Sequence, residues 1–160
     1  KRIAEKAGVK TVLAVDIPKS RAAMHLDTVF TMVDHDAFTI YPEVKEYIRI
    51  WQLEYSPEGE ITSVIEHQNL GDCLRKVLQL DAIRFIETGG GAPVAAARDQ
   101  WNDGTNTLAI APGVVITYRR NVVSNRVLQA NGIKVFEVKG AELGRGRGGP
   151  RCMSMPLTRD

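Results

Sequence analysis

A histidine and an aspartate two positions apart, and a cysteine set among arginines and glycines, carry the most reactive side-chain chemistry of this chain. The first set is Met24-His25-Leu26-Asp27-Thr28. The run reads as the opening of a strand, where residues two apart project from one face. His25 and Asp27 then point together, an acid/base that titrates near neutral pH beside a fixed negative charge. Such a pair can move protons next to a bound cation. The same residues also fit a surface histidine with a hydrogen-bonded aspartate at a strand end.

The second set is Gly144-Arg145-Gly146-Arg147-Gly148-Gly149-Pro150-Arg151-Cys152. Glycines at this density imply a backbone in conformations other residues avoid, or one that comes close to a ligand. Arg145, Arg147 and Arg151 surround a thiol. Positive neighbours favour the thiolate, lower the cysteine pKa and make it a nucleophile. A cysteine far in sequence from a histidine fits a nucleophile and base that meet only in the fold. The same run also fits a flexible tail with an inert cysteine.

Other motifs carry less. Gly144, Gly146 and Gly149 satisfy G-x-G-x-x-G, but Pro150 and Pro156 oppose the helix that dinucleotide binding needs. Arg145 to Gly149 looks like an RGG segment, without the repeats and aromatic partners that single-strand binding uses. Asp34-His35-Asp36 reads as a solvated turn rather than a metal site, because alternation turns His35 away from both aspartates. Gly89-Gly90-Gly91 lacks a following Lys-Ser/Thr and reads as a strand-end turn, not a phosphate loop. Cys73 lies on the apolar stripe of a helix and reads as a small core residue.

The elements that must position these residues alternate between strands and helices, so the fold class is α/β or α+β. Thr11 to Val15 reads as a buried strand. Thr28 to Val33 and Phe38 to Tyr41 are β-rich runs around the turn at Asp34-His35-Asp36. Tyr47 to Tyr55 alternates as a strand with two dissimilar faces, and Pro57-Glu58-Gly59 turns the chain. Leu70, Cys73, Leu74, Val77 and Leu78 recur at helical spacing. Ile83 to Ile86 is a strand and Val94 to Trp101 a helix. Thr107 to Ile110 and Val114 to Tyr118 flank Pro112-Gly113, a type II pair, and form a hairpin. Asn121 is placed to cap a helix that Gly132 ends in the left-handed region. Ile133 to Val138 is the last clear strand. A hairpin–helix–strand rhythm recurs, without a close sequence repeat.

Bulk properties set the frame. The chain has 160 residues, and its 21 Lys+Arg and 19 Asp+Glu leave a net charge of +2. It is 44% hydrophobic and 25% charged, which is globular composition and excludes disorder, collagen and coiled coil as the main character. The length suits one domain with a real core, and no linker is rich enough in Pro, Gly or Ser to divide it. So small a charge argues for neither nucleic acid nor an anionic membrane. No apolar run approaches the roughly 18 residues of a membrane span. Two cysteines make no disulfide framework and no C-x-x-C metal pattern, so a reduced, cytoplasmic setting is expected. The chain opens on Lys1-Arg2-Ile3, without an initiator Met, and is expected to be a piece of something longer.

Taken together, the residues resemble the arginine deiminase family. The resemblance is carried by Met24-His25-Leu26-Asp27-Thr28-Val29-Phe30-Thr31 and by Leu143 through Pro156, with Cys152 and Met153-Ser154-Met155 at its centre. The stretch from Gln100-Trp101-Asn102-Asp103-Gly104 to Tyr118-Arg119-Arg120-Asn121 also looks like that family. It implies hydrolysis of free L-arginine to L-citrulline and ammonia, with no metal and no organic cofactor. It implies a five-bladed α/β propeller of ββαβ modules. By residue matching, Cys152 is the nucleophile, His25 the general acid/base, and Asp27 the carboxylate that holds guanidinium nitrogens. Arg147 helps shape or gate the site, and the backbone of Gly146 approaches the substrate. A further Glu and Asp of the family, and the arginines that grip the substrate carboxylate, belong to upstream motifs that this sequence does not contain. Residues 1–160 are therefore expected to be a single partial catalytic domain, the C-terminal modules of the propeller. The expected partners are L-arginine and the missing N-terminal part of the same enzyme or a second copy, with no nucleic acid or membrane. An agmatine deiminase or an amidinotransferase of the same superfamily, and a non-catalytic assembly or binding fragment, are the alternative readings.

Overall fold

The computed structural model describes residues 2–45 and 47–158. Lys1, on which the reading of the chain's start rests, lies outside them. The elements in chain order are α1 (Arg2–Ala7), β1 (Thr11–Asp16), β2 (Phe30–Met32), β3 (Ala37–Ile40), α2 (Pro42–Lys45) and β4 (Arg49–Tyr55). Then come β5 (Ile61–His67), α3 (Leu70–Leu78), β6 (Arg84–Glu87), α4 (Pro93–Trp101), β7 (Leu108–Ala111), β8 (Val114–Tyr118), α5 (Val122–Ala130) and β9 (Lys134–Val138). Mixed α/β structure is thus observed, in three small sheets of which none closes. No described helix is long and apolar enough to cross a membrane.

The described chain divides into two compact units, residues 2–18 with 47–83 and residues 19–45 with 84–158. The first holds an antiparallel sheet in the order β1-β4-β5. In it β1 is an edge strand and only half-buried, not the buried strand expected, because β4 covers one side alone. The strand β5 is unexpected from sequence: most of its residues are exposed, so no hydrophobic alternation announces it. The helix α3 forms as its spacing predicts. Asn69 Oδ1 accepts from Asp72 N at 2.9 Å as the N-cap, and Leu70, Cys73 and Leu74 are buried. Cys73 is a core residue, and desolvation raises its thiol pKa.

The second unit carries two sheets of one topology. In each, a hairpin is followed later in the chain by a strand parallel to its second arm: β2-β3-β6 and β7-β8-β9. That is the structural form of the recurring rhythm. The turn at Asp34-His35-Asp36 connects β2 to β3 as expected. Its carboxylates serve a cation of the chain itself: Arg84 donates to Asp36 through Nε at 3.0 Å and Nη2 at 2.8 Å. This paired contact holds the Asp36 carboxyl below its ordinary pKa and pins the start of β6 beside β3. Gly113, at φ +69°, turns β7 into β8, and Gly132, at φ +82°, ends α5. Apolar residues of both sheets and of α5 form the core: Val33, Ala37, Ile86, Val115, Leu128 and Ile133.

Polar side chains also enter this unit's interior, and they correct one expectation. Asn121 sits at the N-cap of α5 but makes no capping bond; its Nδ2 donates to Asn102 O at 3.1 Å. The open amide of Ser124 is instead taken by Asp99, a fully buried residue of α4. Asp99 Oδ2 accepts from Ser124 N at 3.0 Å and from Ser124 Oγ at 2.7 Å. Ser124 Oγ in turn accepts from Gly89 N at 3.0 Å. A carboxylate at the start of α5 also complements the helix dipole. One buried charge thus ties α4, α5 and the glycine turn after β6. Replacement of Asp99 by Ala leaves those donors unpaired, and urea denaturation is expected to show a loss of about 3 kcal/mol.

Candidate active site

His25 and Asp27 do face one space, but not as neighbours on a strand. Leu26–Thr28 is a single 3-10 turn, and His25 is the extended residue that enters it, at φ −138° and ψ 157°. Thr28 closes the turn: its N donates to His25 O at 3.1 Å and its Oγ1 at 2.6 Å. The strand begins only at Phe30. A helical turn replaces the expected strand because Thr28 and Val29 find their hydrogen-bond acceptors locally, at His25 O and Leu26 O.

Both residues line a cavity of about 680 Å³ with Arg151 and Cys152. Its further walls are β2 and the start of β7, edge strands of the two sheets of the second unit. The Cys152 thiol donates to Asp27 Oδ2 at 3.7 Å. The same oxygen accepts from Arg151 Nη1 at 2.6 Å. The carboxylate is mostly covered, while the Arg151 side chain is half exposed. A thiol, an imidazole and a carboxylate that already holds a guanidinium are thereby gathered on one wall. Thr107 also lines the cavity, and its buried Oγ1 has no hydrogen-bond partner among the described residues.

The arginines do not act on the thiol as their sequence positions suggest. Arg145 reaches Glu142 at 3.3 Å on the surface. Arg147 lies over the ring of Trp101, with Cζ 4.7 Å from the centroid, and donates to Arg21 O at 3.4 Å. Arg151 is engaged by Asp27. The Cys152 pKa is consequently raised, not lowered. Partial desolvation is the main cause and the Asp27 charge the next, while a hydrogen bond from Asn106 works in the opposite direction.

Arg147 and Gly146 do not line this cavity. Arg147 occupies a positive φ of 60°, unusual for a residue with a Cβ, and its buried Nε has no partner among the described residues. The glycines of the loop divide by need. Gly148 takes φ +133°, and a Cβ on Gly149 would fall 2.5 Å from Asn106 Oδ1. A Cβ on Gly146 would meet nothing within 4 Å.

The residues that hold this loop lie in the Gln100 to Asn121 stretch and carry no individual role from sequence alone. Tyr118 OH donates to Gly148 O at 2.9 Å, and Asp103 Oδ2 accepts from Gly148 N at 3.2 Å. Asn106, fully buried, bonds to the backbone of both Asp27 and Cys152. Two sequence signals bear on them: the likeness of the Gln100 to Asn121 stretch to the family, and a run of Asn, Asp and Thr from Asn102 to Thr107, polar residues that usually mark an exposed loop.

A family model described as arginine deiminase matches residues 1–159. An arginine deiminase of Bacillus thuringiensis subsp. konkukian is 55% identical over 154 residues, 94% of this chain and 38% of that protein. One of Staphylococcus aureus is 52% identical over 158 residues, 97% of this chain and 38% of that protein. One of Limosilactobacillus reuteri is 51% identical over 159 residues, 98% of this chain and 38% of that protein. The chain therefore spans well under half the length of these curated relatives.

The electrostatics of the site set a test. Removing the Asp27 charge by Asp27→Asn also frees the Arg151 cation, and both changes favour thiolate. Iodoacetamide is expected to alkylate Cys152 with a lower pH midpoint in that variant. The rate at neutral pH should rise roughly threefold for each unit of downward shift, because weaker nucleophilicity offsets part of the gain in thiolate. An unchanged midpoint would show that Asp27 does not govern the thiol.

Proposed function

The chain belongs to the arginine deiminase family, and on that premise we propose that it supplies the nucleophile of an enzyme that hydrolyses L-arginine to L-citrulline and ammonia. In this reading residues 1–160 are one partial catalytic domain, completed by the rest of the parent protein. The family's remaining carboxylates and the groups that grip the substrate carboxylate come from that remainder. Its modules belong to a five-bladed propeller. The two sheets of the second unit, each a hairpin with a third strand parallel to its second arm and each with an open edge, support that architecture. A reduced cytoplasmic setting suits a free thiol in this role.

One observation carries the reading: Asp27 Oδ2 accepts from the Cys152 thiol and from a guanidinium, that of Arg151, at the same time. The position therefore accommodates a guanidinium within reach of a nucleophile. A substrate guanidinium takes the place of the Arg151 group and makes charge-assisted hydrogen bonds to Asp27. Its carbon is a poor electrophile because the charge is delocalised, so a strong nucleophile is required. The resting thiol is protonated, and the arriving positive charge favours its ionisation, with the proton passing to His25.

The Cys152 thiolate then forms a bond to the guanidinium carbon. His25 returns the proton to the departing nitrogen, the C–N bond breaks and ammonia leaves. A thiouronium remains on sulfur. His25 next takes a proton from water, whose oxygen bonds to the same carbon. The C–S bond breaks with its electron pair returning to sulfur, the hydroxyl proton passes to solvent, citrulline departs, and the proton held by His25 returns to Cys152 to restore the thiol. Arg147, packed on Trp101 in a strained loop, shapes or gates the entrance, and the open space at Gly146 lets backbone approach the substrate.

In the complete parent protein, Cys152→Ser is expected to reduce citrulline formation by about a thousandfold or more. Arginine should be consumed in preference to agmatine, and the 160-residue chain alone should form little citrulline. Full activity without the thiol, or an alkylation rate at Cys152 no faster than at Cys73, would leave the chain a non-catalytic fragment.

A further inference from the structure

The His25–Asp27 turn and the Cys152 loop are far apart in sequence, and one side chain joins them. Asn106 Nδ2 donates to Asp27 O at 3.0 Å, and Asn106 Oδ1 accepts from Cys152 N at 3.0 Å. The residue is fully buried, so its end of each bond is shielded from bulk water. Its own backbone is held by Asn106 N donating to Asp103 O at 3.0 Å. Gly149 packs against it from the loop side, where a Cβ would lie 2.5 Å from Asn106 Oδ1 and 2.6 Å from both Asn106 Cβ and Asn106 O. The absence of a side chain at Gly149 is what lets the loop come this close.

We propose that Asn106 is a positioning residue whose planar amide sets the spacing between Asp27 and Cys152. This deepens the reading of the site given above and rests on it. The chemistry calls for an amide here, since one end must donate to a carbonyl while the other accepts from an amide N–H. An aspartate of the same shape keeps the acceptor for Cys152 N but sets a second oxygen against Asp27 O. An alanine keeps neither bond. Neither change touches the groups that would contact substrate, so the loss should fall on the turnover step, which depends on the alignment of sulfur and carbon. The Asn106 amide, which bonds Cys152 through the backbone N, also acts to lower the Cys152 pKa, so its removal should move the thiol midpoint upward.

The test uses the complete parent enzyme with Asn106→Asp, Asn106→Ala, Gly149→Ala and Cys152→Ser. Steady-state kinetics and the pH dependence of iodoacetamide alkylation at Cys152 are measured for each variant that keeps its melting transition. The expected result for Asn106→Asp is a fall in kcat of about a hundredfold with KM within about threefold, and an alkylation midpoint above that of the unmodified protein. Gly149→Ala, which displaces the amide from the opposite side, should reproduce the kcat loss and serves if both Asn106 variants fail to fold. Unchanged kcat and an unchanged midpoint in a folded Asn106 variant, or unchanged kcat in Gly149→Ala, overturn the inference while Cys152 remains essential. Activity retained in Cys152→Ser instead overturns the reading of the site on which the inference rests.

Discussion

The side-chain amide of Asn106 stands between the turn that bears His25 and Asp27 and the loop that bears Cys152, and the surrounding structure is arranged to keep it buried and paired. Polar groups buried in a protein interior cost free energy unless each finds a partner. Most of the buried polar side chains from Asp99 to Asn106 meet that demand by bonding to other segments, while Thr107 Oγ1 has no partner among the described residues. Gln100 Nε2 donates to Ala22 O at 2.5 Å and Thr28 O at 2.8 Å, which fixes the ends of the loop and turn bearing His25. Asp99 holds the start of α5, and Asp103 holds Gly148. The polar interior is thus a set of cross-links between loops, while the apolar core of Val33, Ile86, Val115 and Leu128 joins the sheets. Precise placement of loops needs directional bonds, which apolar packing does not supply.

Asp27 is the electrostatic hub of the cavity. Its carboxylate faces a cation and a thiol at once, and its charge adds to partial desolvation in raising the thiol pKa. With Arg151 half exposed, the ion pair contributes about 1 kcal/mol or less, a contact that an arriving ligand can readily exchange. In the proposed reaction a guanidinium that displaces Arg151 would bring its charge to the same oxygen, with its carbon near sulfur. In the proposed mechanism the same carboxylate would thus contribute both to resting protonation and to activation on binding. A thiol held neutral until a cation arrives is also less exposed to oxidation, since oxidants attack the thiolate.

Local features of the fold were legible in the sequence. Pro112-Gly113, Gly132 and the spacing of Leu70, Cys73 and Leu74 act through residues a few positions apart, and the turns and helix they imply are present. The Asp34-His35-Asp36 turn was legible for the same reason. Exposed β5 was not, because a strand with little buried surface leaves no apolar alternation. The shared direction of His25 and Asp27 was reached through strand geometry, whereas a 3-10 turn produces it. The raised thiol pKa ran against the sequence pattern. Nearness along the chain placed Arg145 and Arg147 beside Cys152, but Glu142 and Trp101 take them away. Asn106 bonds to residues 79 and 46 positions distant, so its role depends on tertiary structure that one sequence does not display.

The covalent step is the central claim, and it can be observed directly. Arginine is mixed with the complete parent enzyme, the reaction is quenched in acid within the first turnover, and the peptide containing Cys152 is weighed by mass spectrometry. The account predicts that Cys152 gains the mass of arginine less one ammonia, and that the adduct disappears as citrulline accumulates. Citrulline formed at full rate with Cys152 unmodified throughout, or with the adduct on another residue, would contradict it.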